Sequence, residues 1–431
     1  MGGPTGTEPH LRCFPGSGAD HCVITALGPS RLGPPNRQKK RFLNRGHGVL
    51  RKNRSLCTRL LTNVRCLLSL SVLVSMFLLM RFDTGLLDFT EHEELSVDVV
   101  GVAVKPTCVT QEAIKSLNQF FGPRRIIIIT TSQTSCNVFR SYAHNVICRV
   151  ENTVIPGVTV ETIDAFLESR YDVKGSSEFV GRNLKGWYLQ QFIKLGAAQY
   201  LTDLSEHFLV WDMDMILLKG LSVFRKPKSW RGKRFGEFSK QAIVNIGGRS
   251  NPGYEYSYKR LTGKDLEYAD DGTSFVTHWI VVYKPFMKEF LDTIGRGKLS
   301  SSFSHNPNDT GGFNVTNSPA WVWRILDNLD PGFITTGFSE YASYVSWVKQ
   351  NYPNSQHIMK RQTWLRHPIG GAYTIAMTKR FNGNGLCCPV KSLTGVMKLL
   401  GFQYMGFEIG HVRACQYTNA KYRDGYGIGG Q

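Results

Sequence analysis

The decisive stretch is His207-Phe208-Leu209-Val210-Trp211-Asp212-Met213-Asp214-Met215-Ile216-Leu217-Leu218, in which two aspartates, one residue apart, lie inside an apolar run. Short apolar runs rich in Val, Ile, Leu and aromatic residues are typical of buried strands. Aspartate is rare in strands and costs free energy when it is buried without a partner. Residues two apart point to the same side of an extended chain. The stretch therefore predicts a buried strand that ends at two carboxylates. These either meet one divalent cation, which prefers such oxygen ligands, or are simply solvated at the end of the strand.

The residues around this D-x-D motif resemble a known family. The segment Gly186-Trp187-Tyr188-Leu189-Gln190-Gln191-Phe192-Ile193-Lys194-Leu195 precedes the motif, and Phe338-Ser339-Glu340-Tyr341 follows it much later. Over roughly residues 96 to 350, the chain resembles a little-studied domain of unknown function in the clan of nucleotide-diphospho-sugar transferases. The resemblance implies a GT-A-type glycosyltransferase, in which the D-x-D pair holds manganese or magnesium and the ion holds the diphosphate of a nucleotide sugar.

The resemblance also implies a set of metal ligands. Asp212 and Asp214 are the first two, and GT-A enzymes often add a histidine from late in the domain. His411, which follows Gly410, is our candidate for this third ligand. His278 and His367 are alternatives, and each of these histidines could instead be structural.

An inverting glycosyltransferase needs a base for the acceptor hydroxyl. Glu340 is the first candidate for this base, and Asp271 in the sequence Ala269-Asp270-Asp271-Gly272 is the second. Either carboxylate could instead be a charge at a helix N-terminus or in a loop. A retaining mechanism would change both roles, and the spacing of these residues does not decide between the two mechanisms.

The helix before the D-x-D strand, predicted from Asn183 to Leu201, carries a polar face. Trp187, Gln190, Gln191 and Lys194 share one side of this helix. The face is either simply the solvent side of the helix or the side that brings Lys194 and the glutamines to a nucleotide or its diphosphate.

Strands and helices alternate along the domain. The segments predicted as strands are Val97–Val104, Arg125–Thr131, Val146–Val150, His207–Leu218 and Thr273–Tyr283. Besides the helix at Asn183–Leu201, those predicted as helices are Gln111–Phe121, Val160–Arg170, Pro285–Ile294, Pro319–Leu329 and Ser339–Asn351. This order predicts an α/β fold, with a GT-A-like, mostly parallel sheet flanked by helices.

The first part of the chain has the composition of a membrane anchor. Residues 1–65 contain 12 of the 52 Lys and Arg but only two acidic residues, and the 15 residues that follow, from Cys66 to Met80, carry no charge. Spans usually need about 20 residues, but the flanking Arg65 and Arg81 can snorkel to the interface. Acidic residues follow the apolar run, so the positive-inside rule places the N-terminus in the cytosol.

We therefore predict four regions: a disordered basic cytosolic tail at 1–64, a transmembrane signal-anchor at 65–82, an acidic stem at 83–95 and a lumenal catalytic domain at 96–431. The alternative to the anchor is a buried core helix. This topology describes a single-pass type II protein of the Golgi membrane. The net charge of +19 is concentrated next to the apolar run, and no zinc-finger or RNA-binding motif accompanies it, so we do not expect a nucleic-acid partner.

Cysteines and glycosylation sequons fit this compartment. Six of the ten cysteines follow the anchor, at positions 108, 136, 148, 387, 388 and 415. A lumenal domain permits disulfides, although six cysteines allow 15 pairings. N-glycosylation sequons begin at Asn308 and Asn314 in a Gly- and Ser-rich stretch, and a third begins at Asn53 in the tail.

Two other functions remain open from the sequence. A haloacid-dehalogenase-type phosphatase also has an apolar strand ending in D-x-D, and Asp270-Asp271 imitates its later acidic pair. In that class the motif ends the first strand of the fold, whereas Asp212 comes late in this domain. A catalytically inactive, membrane-anchored binding protein with the same fold would retain the motif without turnover. The preferred interpretation is a glycosyltransferase with a nucleotide-sugar donor and a glycan, protein or lipid acceptor.

Overall fold

The computed structural model describes residues 96–171, 183–225, 240–248, 250–299, 318–367, 389 and 391–407. All of them belong to the unit formed by residues 77–431. No helix among them is both long enough and apolar enough to cross a membrane. The predicted anchor, the sequons at Asn308 and Asn314, and His411 lie outside the described residues.

Eleven strands lie in the described part of the chain: β1 (Asp98–Val102), β2 (Ile126–Thr130), β3 (Val146–Val150), β4 (His207–Trp211), β5 (Met215–Leu217), β6 (Phe224–Arg225), β7 (Gln241–Val244), β8 (Trp279–Tyr283), β9 (Gln356–Ile358), β10 (Trp364–Leu365) and β11 (Tyr404–Gly406). The main sheet has the order β3-β2-β1-β4-β8. Its first four strands are parallel, and β8 runs antiparallel to β4. Two three-stranded sheets, β10-β11-β5 and β6-β7-β9, complete the fold.

The described α-helices are α1 (Cys108–Phe120), α2 (Gln133–Arg140), α3 (Val160–Tyr171), α4 (Leu184–Tyr200), α5 (Pro252–Thr262), α6 (Lys284–Gly295), α7 (Ala320–Asp327), α8 (Glu340–Asn351) and α9 (Lys391–Leu399). Short 3-10 turns lie at Glu151–Thr153, Pro331–Thr336 and Pro353–Ser355. Polar caps explain where helices begin: Asn183 accepts from the Gly186 amide before α4, and Ser339 accepts from the Ala342 amide before α8.

The main sheet is covered on both faces, which explains why its strands are so apolar. In β1, Val100 and Val102 belong to one hydrophobic core, whereas Val99 belongs to the core on the opposite face. All five residues of β2 (Ile126–Thr130) are buried. Strands buried on both faces lack the alternation of apolar and polar residues that marks a half-exposed sheet. The mixed α/β architecture with a mostly parallel sheet confirms this part of the sequence prediction.

The apolar run from His207 to Leu218 forms two strands, and the first of them ends at the aspartate pair, as predicted. The strand ends at Trp211, residues 213 and 214 form a turn, and a new strand begins at Met215. The break occurs because β4 belongs to the main sheet, whereas β5 pairs with β11 in a second sheet. An apolar run that serves two sheets has the composition of a single strand, so its pattern does not reveal the turn.

A disulfide joins Cys136 of α2 to Cys148 of β3. Cys108, the first residue of α1, is also disulfide-bonded. The expectation that the cysteines after residue 96 form disulfides is therefore confirmed for these three.

Candidate active site

The D-x-D turn lies at the carboxyl end of β4, beside the point where the order of the sheet reverses. The chain runs from β1 outward through β2 to β3, and then returns to place β4 on the other side of β1. In open α/β sheets, ligands bind at such a switch point, outside the carboxyl ends of the strands. Asp212 is the first residue after β4 and lies at this position.

The packing of Met213 fixes the shape of the turn. Its side chain is buried and lies over Gly101 of β1, where an added Cβ would come within 2.4 Å of the Met213 sulfur. No side chain larger than hydrogen fits at position 101 without a shift. Asp212 and Asp214, on either side of Met213, are only partly buried. The turn therefore buries its central residue and leaves the aspartates on either side partly exposed.

Three side chains donate to the Asp212 carboxylate. Lys194 Nζ lies 2.5 Å from Oδ1, and the Tyr341 hydroxyl donates to the same oxygen at 2.6 Å. His278 Nδ1 lies 2.9 Å from Oδ2. The backbone strengthens the last contact, because the Asp212 amide donates to the His278 carbonyl at 2.9 Å. Asp212 is thus held from α4, from α8 and from the residue before β8.

Lys194 bridges two carboxylates in a buried position. Besides Asp212, its Nζ contacts Glu340 Oε1 at 2.7 Å, and it lies 4.7 Å from the centroid of the Tyr341 ring. Burial alone would lower the pKa of Lys194, but the charges of Asp212 and Glu340 outweigh burial and hold that pKa above its ordinary value. Lys194 is therefore a permanent cation in this site.

The same charges fix the ionisation of the neighbouring groups. Burial would raise the pKa of Asp212, but Lys194 and His278 hold it well below its usual range, so Asp212 is ionised. Burial and the nearby carboxylates Asp212 and Glu340 raise the pKa of Tyr341 well above its usual value. Tyr341 is therefore a neutral hydroxyl that donates a hydrogen bond.

Gln191 connects the two helices behind this cluster. Its side chain is buried, and its Oε1 accepts from the backbone amide of Glu340 at 3.2 Å. Glu340 is the first residue of α8, and its side chain is only 6% exposed. The Gln191 contact fixes the start of α8 against α4 and so places the Glu340 carboxylate on Lys194.

His278 adopts a backbone conformation that is uncommon for residues other than glycine. Its φ angle of 65° is the one positive value among the described residues other than glycine. Its ring packs edge-on against Trp364 at 5.0 Å between centroids, and Trp364 stacks on Tyr404. The Tyr404 hydroxyl in turn donates to the Thr277 carbonyl at 2.9 Å. Trp364 and Tyr404 thus form an aromatic wall, which supports the His278 ring beside Asp212 Oδ2.

The structure brings together several residues that the sequence predicted. Lys194, Asp212 and Glu340 are in direct contact, and His278, named as an alternative metal ligand, contacts Asp212 through its ring. One interpretation of the polar face of α4 was that it is the solvent side of the helix. This interpretation is wrong for Gln191 and Lys194, which are buried. Trp187 packs edge-on against Tyr188, and Gln190 is only partly buried.

Asp271 lies apart from this cluster, in an exposed turn. Its Oδ1 accepts from the amide and the hydroxyl of Thr273, at 2.9 and 2.6 Å. His367 follows β10, and His411 lies outside the described residues. The last described residue, Phe407, donates its amide to the Asp214 carbonyl at 2.8 Å.

Sequence reasoning missed Tyr341 and Asn245. Tyr341 was quoted only as part of a motif, yet it donates to Asp212. Asn245 follows β7, is buried, and donates to Thr363 and to the Tyr404 hydroxyl behind the aromatic wall. The available signal was a polar residue directly after an apolar strand and before Gly247-Gly248, the same pattern that marks Asp212.

The carboxylate oxygens of the D-x-D turn are suitable ligands for a divalent cation that also has ligands from elsewhere. A carboxylate oxygen has two lone pairs, so Asp212 Oδ2 keeps one beyond its bond to His278. The Asp214 carboxylate supplies a second hard oxygen ligand of the kind that Mg²⁺ and Mn²⁺ prefer. Within the described residues, no three or more His, Cys, Asp or Glu side chains form a group that would hold a metal ion.

Residues 112–234 match a family of unknown function (DUF6492). This range includes α4 and the D-x-D turn, and therefore Lys194, Asp212 and Asp214. No curated protein matches this chain.

Solved structures of glycosyltransferases show a low similarity to this chain. Mouse xyloside xylosyltransferase 1, in its apo form, is 12% identical with a TM-score of 0.34, covering 72% of this chain and 97% of its own. The galactosyltransferase LgtC, in complex with donor and acceptor sugar analogues, is 11% identical with a TM-score of 0.31, covering 72% and 86%. GlyE of Streptococcus pneumoniae TIGR4 is 11% identical with a TM-score of 0.27, covering 72% and 54%. At TM-scores this low, these likenesses decide neither the fold nor the function.

Proposed function

We propose that this protein is a metal-dependent glycosyltransferase of GT-A type, which moves a sugar from a nucleotide-sugar donor to a glycan, protein or lipid acceptor. The observation that carries the proposal is the position of Asp212. It lies at the switch point of an open parallel sheet, is held ionised by three donors, and keeps one lone pair beside a second carboxylate. A dianionic turn at the ligand-binding edge suits a cation–diphosphate ligand.

The chemistry requires that the bond between the anomeric carbon and the diphosphate breaks while a bond to the acceptor oxygen forms. Asp212 and Asp214 would hold Mn²⁺ or Mg²⁺, with His411 as the proposed third ligand. When bound, such a cation acts as a Lewis acid that stabilises the departing diphosphate. Tyr341 and His278 fix the orientation of the Asp212 carboxylate, and this preorganisation reduces the rearrangement needed when the donor binds.

Lys194 and Glu340 form the second part of the site. The Lys194 ammonium is a fixed positive charge behind the D-x-D turn, held between Asp212 and Glu340. Glu340 remains our predicted base for the acceptor hydroxyl, and its contact with Lys194 gives it a second role in holding that charge. The fate of the acceptor proton depends on whether the reaction inverts or retains the configuration of the sugar.

The described topology favours this function over a haloacid-dehalogenase-type phosphatase. In the phosphatase, Asp212 would be the nucleophile at the end of the first strand of the fold. Here β4 is the fourth strand of the described residues, and one of its neighbours is antiparallel. Both lone pairs of Asp212 Oδ1 also accept hydrogen bonds, from Lys194 and Tyr341. These contacts fit a carboxylate that binds a ligand better than they fit a nucleophile that attacks a phosphoryl group.

The proposed site of action is the lumen of the secretory pathway, at the Golgi membrane, with a single type II span. The disulfide between Cys136 and Cys148 supports an oxidising compartment. The uncharged run from Cys66 to Met80 supports an anchor.

The test is calorimetry of nucleotide diphosphates with the purified full-length protein, with and without manganese. We expect binding that requires the metal, is lost with a chelator and is lost in Asp214→Asn. Asp265→Asn is the matched control, because its side chain is 84% exposed in a surface ion pair with Lys259. Metal-independent binding that persists in Asp214→Asn contradicts the mechanism. A parallel screen for hydrolysis of nucleotide sugars separates an enzyme from an inactive binding protein, which would bind the donor without turnover.

A further inference from the structure

Lys194 already occupies the place where a cation would relieve the charge of Asp212. Its Nζ lies 2.5 Å from Asp212 Oδ1 and 2.7 Å from Glu340 Oε1. The side chain is only 9% exposed, so water screens these contacts little. The first carboxylate of the D-x-D motif is therefore paired with a fixed positive charge before any ligand arrives.

The hydrogen bonds to Asp212 leave little room for a second cation. Lys194 and Tyr341 use both lone pairs of Oδ1, and His278 uses one of the two on Oδ2. Beyond these three contacts, Asp212 keeps one lone pair on Oδ2 for a divalent ion. Mg²⁺ in proteins is commonly held by one or two carboxylates together with substrate phosphates, rather than by protein ligands alone.

We propose that Lys194 prevents the D-x-D turn from binding a divalent cation by itself, so that the cation enters only together with a nucleotide diphosphate. This inference rests on the proposed function and specifies the ligand of the site as the preformed complex of the metal and the nucleotide diphosphate. Phosphate oxygens complete the coordination of the ion, and the negative charge of the diphosphate offsets the ammonium of Lys194.

The cluster allows the charge and its location to be varied separately. The Lys194 ammonium lies between the Asp212 and Glu340 carboxylates. Lys194→Met makes the site one charge more negative than the wild type, and Glu340→Gln makes it one charge less negative. The double variant Lys194→Met/Glu340→Gln restores the net charge of the wild type but leaves Asp212 without a neighbouring ammonium, so it tests whether the position of the charge matters more than the sum.

The experiment is titration of the full-length protein and these variants with Mn²⁺ alone, followed by the electron paramagnetic resonance of the free ion. The titrations are repeated with UDP, GDP and CMP. For the wild type, we expect Mn²⁺ alone to bind about tenfold or more weakly than Mn²⁺ with the matching nucleotide. For Lys194→Met and the double variant, we expect Mn²⁺ alone to bind about tenfold or more tightly than to the wild type, because a close like charge is gone.

A second readout covers the case in which the single variant folds poorly. Removing Lys194 leaves two buried carboxylates without their cation, which destabilises a protein. The double variant removes one of these carboxylate charges as well and is expected to fold. In both variants Mn²⁺ without nucleotide should raise the thermal unfolding midpoint, whereas in the wild type it should not, because binding to the folded state is what stabilises.

The outcomes separate this inference from the proposed function. Wild-type protein that binds Mn²⁺ alone as tightly as Lys194→Met does, and then binds a nucleotide diphosphate, overturns the inference and leaves the glycosyltransferase function standing. Variants that bind Mn²⁺ no more tightly than the wild type also overturn it. If no nucleotide diphosphate strengthens Mn²⁺ binding while Lys194→Met still binds the ion alone, the glycosyltransferase function fails and Lys194 remains the barrier to the cation.

Discussion

Asp98 and Asp212 lie at opposite ends of the same sheet and have opposite surroundings. Asp98 begins β1, where it pairs in register with the start of β4, and Asp212 follows the end of β4. The Asp98 carboxylate accepts from Arg124 Nε at 2.8 Å, from Arg125 Nη2 at 2.8 Å and from the Ser205 amide at 2.8 Å, with two further contacts from the same arginines. Asp212 has three donors and keeps one lone pair.

This difference shows which end of the sheet serves stability and which serves binding. The Asp98 side chain is fully buried, whereas that of Asp212 is 20% exposed. Guanidinium groups only donate hydrogen bonds and stay charged, so they close the Asp98 site. An ammonium, a phenol and an imidazole surround Asp212 and leave one lone pair of Oδ2 for a ligand. A closed carboxylate stabilises the fold, and an open one can exchange its partners.

The comparison predicts unequal losses of stability when each carboxylate is replaced. Asp98→Asn should lower the free energy of unfolding by about 3–5 kcal/mol, because its amide group would face the donors of Arg124 and Arg125. Asp212→Asn should cost less than half of this, since its amide oxygen still accepts from Lys194 and Tyr341. Chemical denaturation followed by tryptophan fluorescence measures both. Equal losses of unfolding free energy would contradict the conclusion that the Asp98 end of the sheet serves stability and the Asp212 end serves binding.

Glu340→Gln sharpens the comparison on the binding side. If Glu340 is the base, as proposed, the variant should lower turnover about 100-fold or more and leave donor affinity nearly intact. If Glu340 only holds the charge of Lys194, donor affinity and turnover would fall together, by about tenfold, because Gln still accepts from Lys194 but without a charge. Separate measurements of the donor dissociation constant and kcat distinguish these results.

The pH dependence of stability tests the Asp98 end. Burial by itself would raise the pKa of Asp98, but hydrogen bonds from Arg124 and Arg125 hold that pKa well below its usual range. In the unfolded chain Asp98 titrates near its ordinary pKa of about 3.9. Its contribution is therefore fully present above about pH 4 and is lost as the pH falls toward the lower pKa of the folded protein.

The measurement is the free energy of unfolding between pH 5 and pH 3. Below the unfolded pKa, the wild type should lose up to about 1.4 kcal/mol per pH unit more than Asp98→Asn, because only the unfolded wild type gains that proton. Parallel curves for the two proteins would show that Asp98 has the same pKa in the folded and unfolded states. Its ion pairs with Arg124 and Arg125 would then not contribute to stability.

The sequence predicts the candidate site better than it predicts the geometry of that site. Asp212, Lys194 and Glu340 stand out because each is a charged residue next to apolar residues in a predicted strand or helix. Their mutual contacts join α4, the D-x-D turn and α8. These elements are far apart in the sequence, so no local sequence pattern predicts the contacts. The positive φ of His278 is also invisible, because residue type gives no warning when glycine is absent.

The limits on predicting the fold have a similar cause. Segments with long apolar periodicity, such as α4 and β2, were predicted within one or two residues of their observed bounds. The two-residue strands β6 and β10 were missed, because so short a strand is defined by backbone pairing and not by alternating side chains. β5 was not predicted as a separate strand because the residues on both sides of the D-x-D turn are apolar.

Tyr341→Phe should have the smallest effect, and it separates charge from hydrogen bonding at Asp212. The substitution removes the phenol that donates to Oδ1 at 2.6 Å but keeps the ring beside the Lys194 ammonium. We expect a loss of about 1 kcal/mol in the free energy of unfolding, the typical worth of one hydrogen bond. Ser205→Ala is the control at the other end, since it removes a hydroxyl there while the Ser205 amide still donates to Asp98.

The informative measurement on Tyr341→Phe is its affinity for Mn²⁺ without nucleotide. The variant frees a lone pair on Asp212 but leaves the ammonium of Lys194 in place. If charge controls access of the cation, its affinity should stay within about threefold of the wild type, well below the change expected for Lys194→Met. An increase as large as that of Lys194→Met would mean that occupied lone pairs, rather than the ammonium, exclude the ion. The contrast between Asp98 and Asp212 would then depend on the number of donors and not on their charge.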